Sequence, residues 1–184
     1  MSLLDELRAR GVVRDGHFEL TSHLHASQFL QCTAALQDTA FARRVGRQLV
    51  AALGELEVDV VAAPGVSSIV LGFEVAAALG RRFVFAEERD DSVLLRRGQR
   101  VSDDERVLVV EDVLTTGRSA AELGALVEEA GGNVAGYAAL VDRSTPQRPL
   151  PFEATSLVQV ALVTYEPADC PHCADGLPAT DPTA

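Results

Sequence analysis

Two adjacent acids, Glu111 and Asp112, stand between an apolar run, Val107 to Val110, and a loop of small and hydroxylated residues, Thr115-Thr116-Gly117-Arg118-Ser119. The run has the length and branching of a buried strand, and the residues after the loop have the pattern of an amphipathic helix. The loop therefore sits at a helix start. There, backbone N–H groups, hydroxyls and the Arg118 guanidinium can converge on one phosphate, helped by the helix dipole. Two carboxylates just upstream would repel a bare phosphate, so they suit neutral hydroxyls that donate hydrogen bonds. A ribose 5-phosphate meets both demands.

The elements needed to hold such a loop can be read on either side of it. Strands expected at 58–63, 82–86, 107–110 and 134–141 alternate with helices at 69–79 and 118–130, which implies βαβ units, a parallel sheet and right-handed crossovers. A helix over 39–53 precedes them, with Phe41, Val45, Leu49 and Leu53 four apart on one face. Ligands of such sheets sit beyond the carboxyl ends of the strands. The loops at those ends are 64–68, 87–106 and 111–119, with Asp142-Arg143 after the next strand. Residues 87–106, rich in acids and arginines with little periodicity, read as a long solvated excursion, functional or disordered. Toward the N-terminus a helix is expected over 2–10 and strands over 17–22 and 29–31. A last strand is expected over 156–160, and the tail after Pro167 is expected to lack regular structure.

The chain has 184 residues and 47% hydrophobic composition, enough for one globular domain with a sizeable core. With no run of 18 apolar residues and an amphipathic start, neither a membrane span nor an export signal is expected. A net charge of -11 argues against nucleic acid or an anionic membrane as partner. All 16 basic residues are arginine, which excludes Schiff-base chemistry and a P-loop lysine. Three cysteines and no export signal point to a reducing cytoplasm. Cys170-Pro171-His172-Cys173 reads first as a structural tail, next as half of a metal site needing His172 or another subunit, and last as a redox dithiol. His17, His23 and His25 read as loop or site-edge polar groups, so no protein metal ligand is assigned.

Four apolar residues, two acids, Val113-Leu114 and then Thr-Thr-Gly resemble the phosphoribosyl diphosphate (PRPP) motif of the type I phosphoribosyltransferases. The similarity extends over nearly the whole chain and is best to the orotate phosphoribosyltransferases. It is carried by Gly16-His17-Phe18-Glu19-Leu20-Thr21-Ser22, by Phe85 to Arg89 with Leu95-Arg96-Arg97-Gly98, by Val141-Asp142-Arg143, and by Asp169 to Cys173. The resemblance implies an α/β fold: a Rossmann-like parallel sheet flanked by helices, with an N-terminal hood at 1–36, a core at 37–166 and a tail at 167–184.

It also implies site residues. Glu111 and Asp112 hold the ribose hydroxyls, Val113 to Ser119 form the PRPP loop, and Ser67-Ser68 stands where the family places small residues, including a glycine pair, at the diphosphate. A backbone position there requiring positive φ would tolerate serine poorly. Arg89, Arg96, Arg97 and Arg100 belong to a mobile catalytic loop, and Thr115, Arg143 and Phe29 lie on the orotate side. Mg2+ carried by PRPP, a homodimer and a cytoplasmic location follow from the same resemblance. The alternatives are transfer to another base and a catalytically weak PRPP-binding regulator.

Overall fold

A computed structural model of the chain describes residues 1–20, 22–89 and 92–182. It divides into two compact units, one of residues 36–160 and one of residues 1–35 with 161–184. In chain order the elements are α1 (Leu3–Ala9), β1 (Val13–Glu19), β2 (His25–Leu30), α2 (Thr33–Leu36), α3 (Thr39–Leu53) and β3 (Val60–Ala63). A 3-10 turn (Val66–Ser68) leads into α4 (Ile69–Leu79), followed by β4 (Arg82–Arg89), β5 (Ser92–Leu95), β6 (Arg106–Leu114) and α5 (Arg118–Glu129). The chain ends with β7 (Asn133–Asp142), β8 (Ala154–Gln159), β9 (Thr164–Tyr165) and the one-turn α6 (Pro171–Ala174).

In the unit of residues 36–160 the strand order is β5-β4-β3-β6-β7-β8, parallel throughout except for the β4–β5 hairpin. From β3 the chain moves outward through α4 to β4, then returns to the other side of β3 as β6 and moves away through α5 to β7. The winding direction reverses between β3 and β6. Such a reversal opens a crevice at the carboxyl ends of the two strands.

Strand alternation builds the two layers. Val60, Ala62, Val107 and Val109 pack with Leu123 and Val127 of α5. Val61, Ala63, Leu108 and Val110, all fully buried, project from the opposite face. Across that side, α4 packs on β3, β4 and β6, and α3 on β7, β8 and α4. Asp38 starts α3 by accepting the N–H groups of Ala40 and Phe41 at 3.0 and 3.2 Å. The expected four-residue repeat is buried at Phe41, Val45 and Leu49. Truncating a fully buried leucine such as Leu108 to alanine costs about 2–5 kcal/mol.

Three expectations need correction. The central strand does not stop at Val110: it pairs with β7 through Leu114, with Glu111 opposite Ala139 and Val113 opposite Val141. A polar side chain does not end a strand whose backbone still has a partner. Residues 87–106 are not a plain excursion either, because β4 runs to Arg89 and returns as β5, with Ala86 opposite Leu95 and Glu87 opposite Leu94. The tail is also structured. It contains a 3-10 turn at Pro167–Asp169 and α6, and Thr180 exchanges backbone hydrogen bonds with β1, its N–H reaching the His17 carbonyl at 2.9 Å and its carbonyl accepting the Glu19 N–H at 3.0 Å.

The unit of residues 1–35 and 161–184 holds an antiparallel sheet in the order β1-β2-β9. A capping box between Ser2 and Asp5 starts α1. His17 and His25 lie on β1 and β2 and are buried, so they are interior groups rather than loop or site-edge residues. His23 is a loop residue, with φ +61° and its ring beside Glu19 at 3.2 Å. Thr21, part of the expected base-side segment, lies outside the described residues.

Candidate active site

Neighbouring residues of a strand point to opposite faces, so Glu111 and Asp112 diverge although adjacent in sequence. Asp112, 7% exposed, turns to the segment before α4, where the Ser67 and Ser68 hydroxyls donate to its carboxylate, that of Ser68 at 3.4 Å. Glu111 instead lines a cleft of about 820 Å³ with Pro64, Gly65, Val66, Ser67, Phe85, Glu87, Val93, Arg97 and Ser119. The cleft lies at the reversal of strand order. Its walls are the β3–α4 loop, the end of β6, the start of α5 and the β4–β5 hairpin.

Both acids are held against their ordinary ionisation. Burial, and then the adjacent Asp112 charge, push the Glu111 carboxyl up to about 8. Burial also raises Asp112, opposed by hydrogen bonds from the two serines and the backbone. Near neutral pH Glu111 is mostly protonated, and a group that donates hydrogen bonds or carries positive charge would stabilise its ionised form.

The loop after β6 has little freedom. Gly117 has φ +72°, and a Cβ there would come within 2.9 Å of the Phe152 ring. Both the backbone conformation and the packing demand glycine at this N-cap of α5. Thr115, Thr116, Arg118 and Ser119 are exposed around it, and the Arg118 N–H donates to the Thr116 hydroxyl at 3.4 Å. The Arg118 guanidinium contacts Glu122 at 2.6 Å, one turn along. Val113 and Leu114 hold the loop to the sheet, and the Leu114 carbonyl accepts the Arg143 N–H at 2.8 Å.

That bond fixes Arg143 just past the end of β7. Its Nε is buried and, among the described residues, lacks a hydrogen-bond partner, while burial lowers the pKa of its guanidinium. Ser67 and Ser68 do not need the left-handed backbone feared for serine. Ser68 has φ -88° at the N-cap position of α4, with its hydroxyl turned to Asp112 rather than capping the helix, and neither serine is among the described non-glycine residues with positive φ.

On the hairpin side, Arg97 lines the cleft with φ +55° and forms an ion pair with Glu87. Arg96 and Arg100 are exposed, and the Arg100 carbonyl accepts a hydrogen bond from Arg82 at 2.9 Å. Gln99 ties the returning chain to β4 by accepting the Phe85 N–H at 2.7 Å. The Arg89 backbone pairs with Ser92, but its side chain lies outside the described residues. Phe29 belongs to the other unit, where its ring lies 6.0 Å from that of Phe18. Sequence reasoning missed Phe85, Glu87 and Val93 as cleft residues. The signal was the alternation of Phe83, Phe85 and Glu87, which continues β4 beyond Ala86.

The phosphoribosyl transferase domain family matches residues 33–172. An orotate phosphoribosyltransferase of Chlorobium phaeobacteroides (strain BS1) is 38% identical over 181 residues, covering 98% of this chain and 94% of that protein. One from Pelotomaculum thermopropionicum is 41% identical over 172 residues, covering 94% and 90%. In structure, the chain is similar to orotate phosphoribosyltransferase from Aeropyrum pernix, with TM-score 0.72, 21% identity and coverage of 86% and 93%. Adenine phosphoribosyltransferase from Thermoanaerobacter pseudethanolicus gives TM-score 0.69 at 22% identity, covering 85% and 99%. These two likenesses establish the fold and, spanning two bases, do not select one. Sequence similarity over nearly the full chain is more specific, and it places the chain in the phosphoribosyltransferase family, among the orotate phosphoribosyltransferases.

Proposed function

We propose that the cleft transfers ribose 5-phosphate from PRPP to orotate, giving orotidine 5-phosphate and pyrophosphate in pyrimidine biosynthesis. The observation that carries the proposal is one crevice combining Glu111, the open start of α5 and the serine turn before α4 at the reversal of strand order. The loop from Thr115 to Ser119 takes the 5-phosphate on N–H and hydroxyl donors. Ser67 and Ser68 lie toward the diphosphate. Glu111 accepts from the ribose hydroxyls and Asp112 adds negative charge from behind, so their field favours the positive sugar ring of the transition state. The C1–diphosphate bond breaks as orotate N1 bonds to C1; the diphosphate leaves with the bonding electron pair, and the N1 proton is released to it or to solvent.

Arg143 answers the orotate carboxylate, and the buried unpartnered Nε gives it a reason to bind an anion. Thr115 lies on the base side of the same unit. Arg89, Arg96, Arg97 and Arg100 close over the leaving group and exclude water. Among the described cleft residues the carboxylates are Glu87, paired with Arg97, and Glu111, too few for an all-protein octahedral cage. That donor set fits Mg2+ brought in on the diphosphate. When bound, the ion neutralises the departing pyrophosphate. A cytoplasmic homodimer in which the hairpin reaches the neighbouring subunit completes the reading, and among the described residues no helix is long and apolar enough to cross a membrane.

The test is consumption of orotate by the purified protein with PRPP and Mg2+, beside uracil, hypoxanthine and adenine. Turnover with orotate alone is expected. Turnover only with another base would reject the base assignment, and PRPP binding without any turnover would make the chain a regulator.

A further inference from the structure

The unit of residues 1–35 and 161–184 brings together four groups that are scattered in sequence. His17 on β1, His25 on β2, Cys170 before α6 and Cys173 within it offer ligand atoms that all lie within 4.8 Å of one another. His17 Nε2 lies 2.8 Å from His25 Nδ1 and 3.4 Å from Cys170 Sγ; Cys173 Sγ lies 3.3 Å from His25 Nδ1 and 3.8 Å from His17 Nε2. A tetrahedral ion with bonds of roughly 2.0–2.1 Å to nitrogen and 2.3 Å to sulfur separates its ligand atoms by about 3.3–3.8 Å. The four atoms are thus already near the corners of such a shell.

Three features distinguish this cluster from a chance grouping. His17, His25 and Cys170 are buried, at 7%, 8% and 2% exposure, although histidine is an awkward interior residue without a partner. The other His17 ring nitrogen, Nδ1, lies 2.9 Å from the Leu177 carbonyl, which can only accept. Nδ1 therefore carries the hydrogen and Nε2 presents its lone pair to the cluster, as in histidine ligands oriented by a backbone carbonyl. Finally, the two cysteines are three apart across one turn, which aims both sulfurs the same way.

We propose that His17, His25, Cys170 and Cys173 form a closed Cys2His2 site for a structural Zn2+ that staples the C-terminal tail to the β1–β2 hairpin. On binding, the two thiols release their protons to solvent and ligate as thiolates, and no redox step is involved. His172, the histidine nearest in sequence, is not a ligand; its ring stacks on His17 with centroids 5.2 Å apart. A soft and borderline donor set of two sulfurs and two imidazoles selects Zn2+ over Mg2+ or Ca2+. The unit has fewer than 60 residues, a size at which a small core commonly needs a metal or covalent staple.

The site is tested on the full chain by stripping metal with a chelator under reducing conditions and titrating with Co2+. One equivalent per chain is expected, with the intense visible d–d bands of tetrahedral cobalt, thiolate-to-cobalt charge-transfer bands in the near ultraviolet, and displacement by Zn2+. Stripping should lower Tm and make the tail susceptible to proteolysis after Tyr165. Cys173→Ser and His25→Ala should each abolish the one-to-one tetrahedral spectrum, whereas His172→Ala should keep it. The proposal is overturned if the stripped wild-type chain shows no tetrahedral spectrum, if the bands survive His25→Ala, if they vanish in His172→Ala, or if one ion is shared between two chains.

Discussion

The two ends of the central sheet handle charge in opposite ways. At the amino end, Arg106 on β6 and Asp59 just before β3 form a two-pronged pair at 2.8 and 2.9 Å, and Arg82 pairs with Glu105. The Arg106 guanidinium holds the Asp59 carboxyl far below its usual range. At the carboxyl end, two neighbouring acids are both raised in pKa by burial, and a buried guanidinium nitrogen lacks a partner among the described residues. One end pairs its charges within the chain, whereas the other holds its two acids against their ordinary ionisation. The difference marks where stability and function separate along the same strand.

The sharpest way to break this contrast is to neutralise the acids. Asp112→Asn should lower kcat/KM for orotate and PRPP by about 100- to 1000-fold, in line with loss of a preorganised electrostatic contact. Tm should stay the same or rise, because the cost of burying the Asp112 carboxylate is removed. A large fall in Tm with unchanged kinetics would instead make the carboxyl end structural. Arg143→Ala should act more narrowly. It should raise KM for orotate by roughly 10- to 100-fold, the scale of one charged hydrogen bond, and leave PRPP affinity nearly unchanged in a direct binding titration.

The raised Glu111 pKa sets a pH dependence with a definite sign. A carboxyl that titrates higher in the folded chain than in the unfolded one contributes stability that is fully present below its ordinary value and is lost as pH rises through about 8. The ligand-free protein should therefore lose Tm between roughly pH 4.5 and 8, with a slope of at most about 1.4 kcal/mol for each step of one in pH. Glu111→Gln should flatten that slope, and differential scanning calorimetry across the range would show whether it does. If the ribose hydroxyls favour the carboxylate, PRPP binding at pH 7 should also release protons, seen as buffer-dependent binding heat. The smallest effect is expected at the amino end. Asp59→Ala should lower Tm by a few degrees at most, since the pair is solvent-exposed, and kcat should not move.

Where sequence and structure agree, the signal was local. The four-residue spacing of Phe41, Val45 and Leu49, the apolar run of β6 and the Thr-Thr-Gly loop each depend on neighbours within a few positions. Sequence reasoning failed where a distant strand decided the outcome. Glu111 and Asp112 looked like a strand end because they are charged, yet β7 runs beside them and keeps their backbone paired. Once the two acids were inside a strand, alternation had to send them to different faces. The β4–β5 hairpin was hidden in the same way, since charge patterning disguised an antiparallel edge strand. His17 and Cys170 are more than 150 positions apart, and only the pairing of β1 with β2 and the return of the tail bring them together.

β7 carries one residue more than β6 between the pairs Val107–Val134 and Leu108–Gly136. Ala135 is that extra residue, eight positions before Arg143. Deleting it would leave Val134 and Gly136 consecutive opposite Val107 and Leu108, a regular pairing that loses the bulge and the local bend and added twist that a bulge brings. The pairs from Leu108–Gly136 to Leu114–Asp142 would keep their register and faces, so Arg143 would be moved only by the change in strand bend. A single-codon deletion at Ala135 should therefore keep the sheet paired and act on the site through the placement of Arg143, read as a change in KM for orotate.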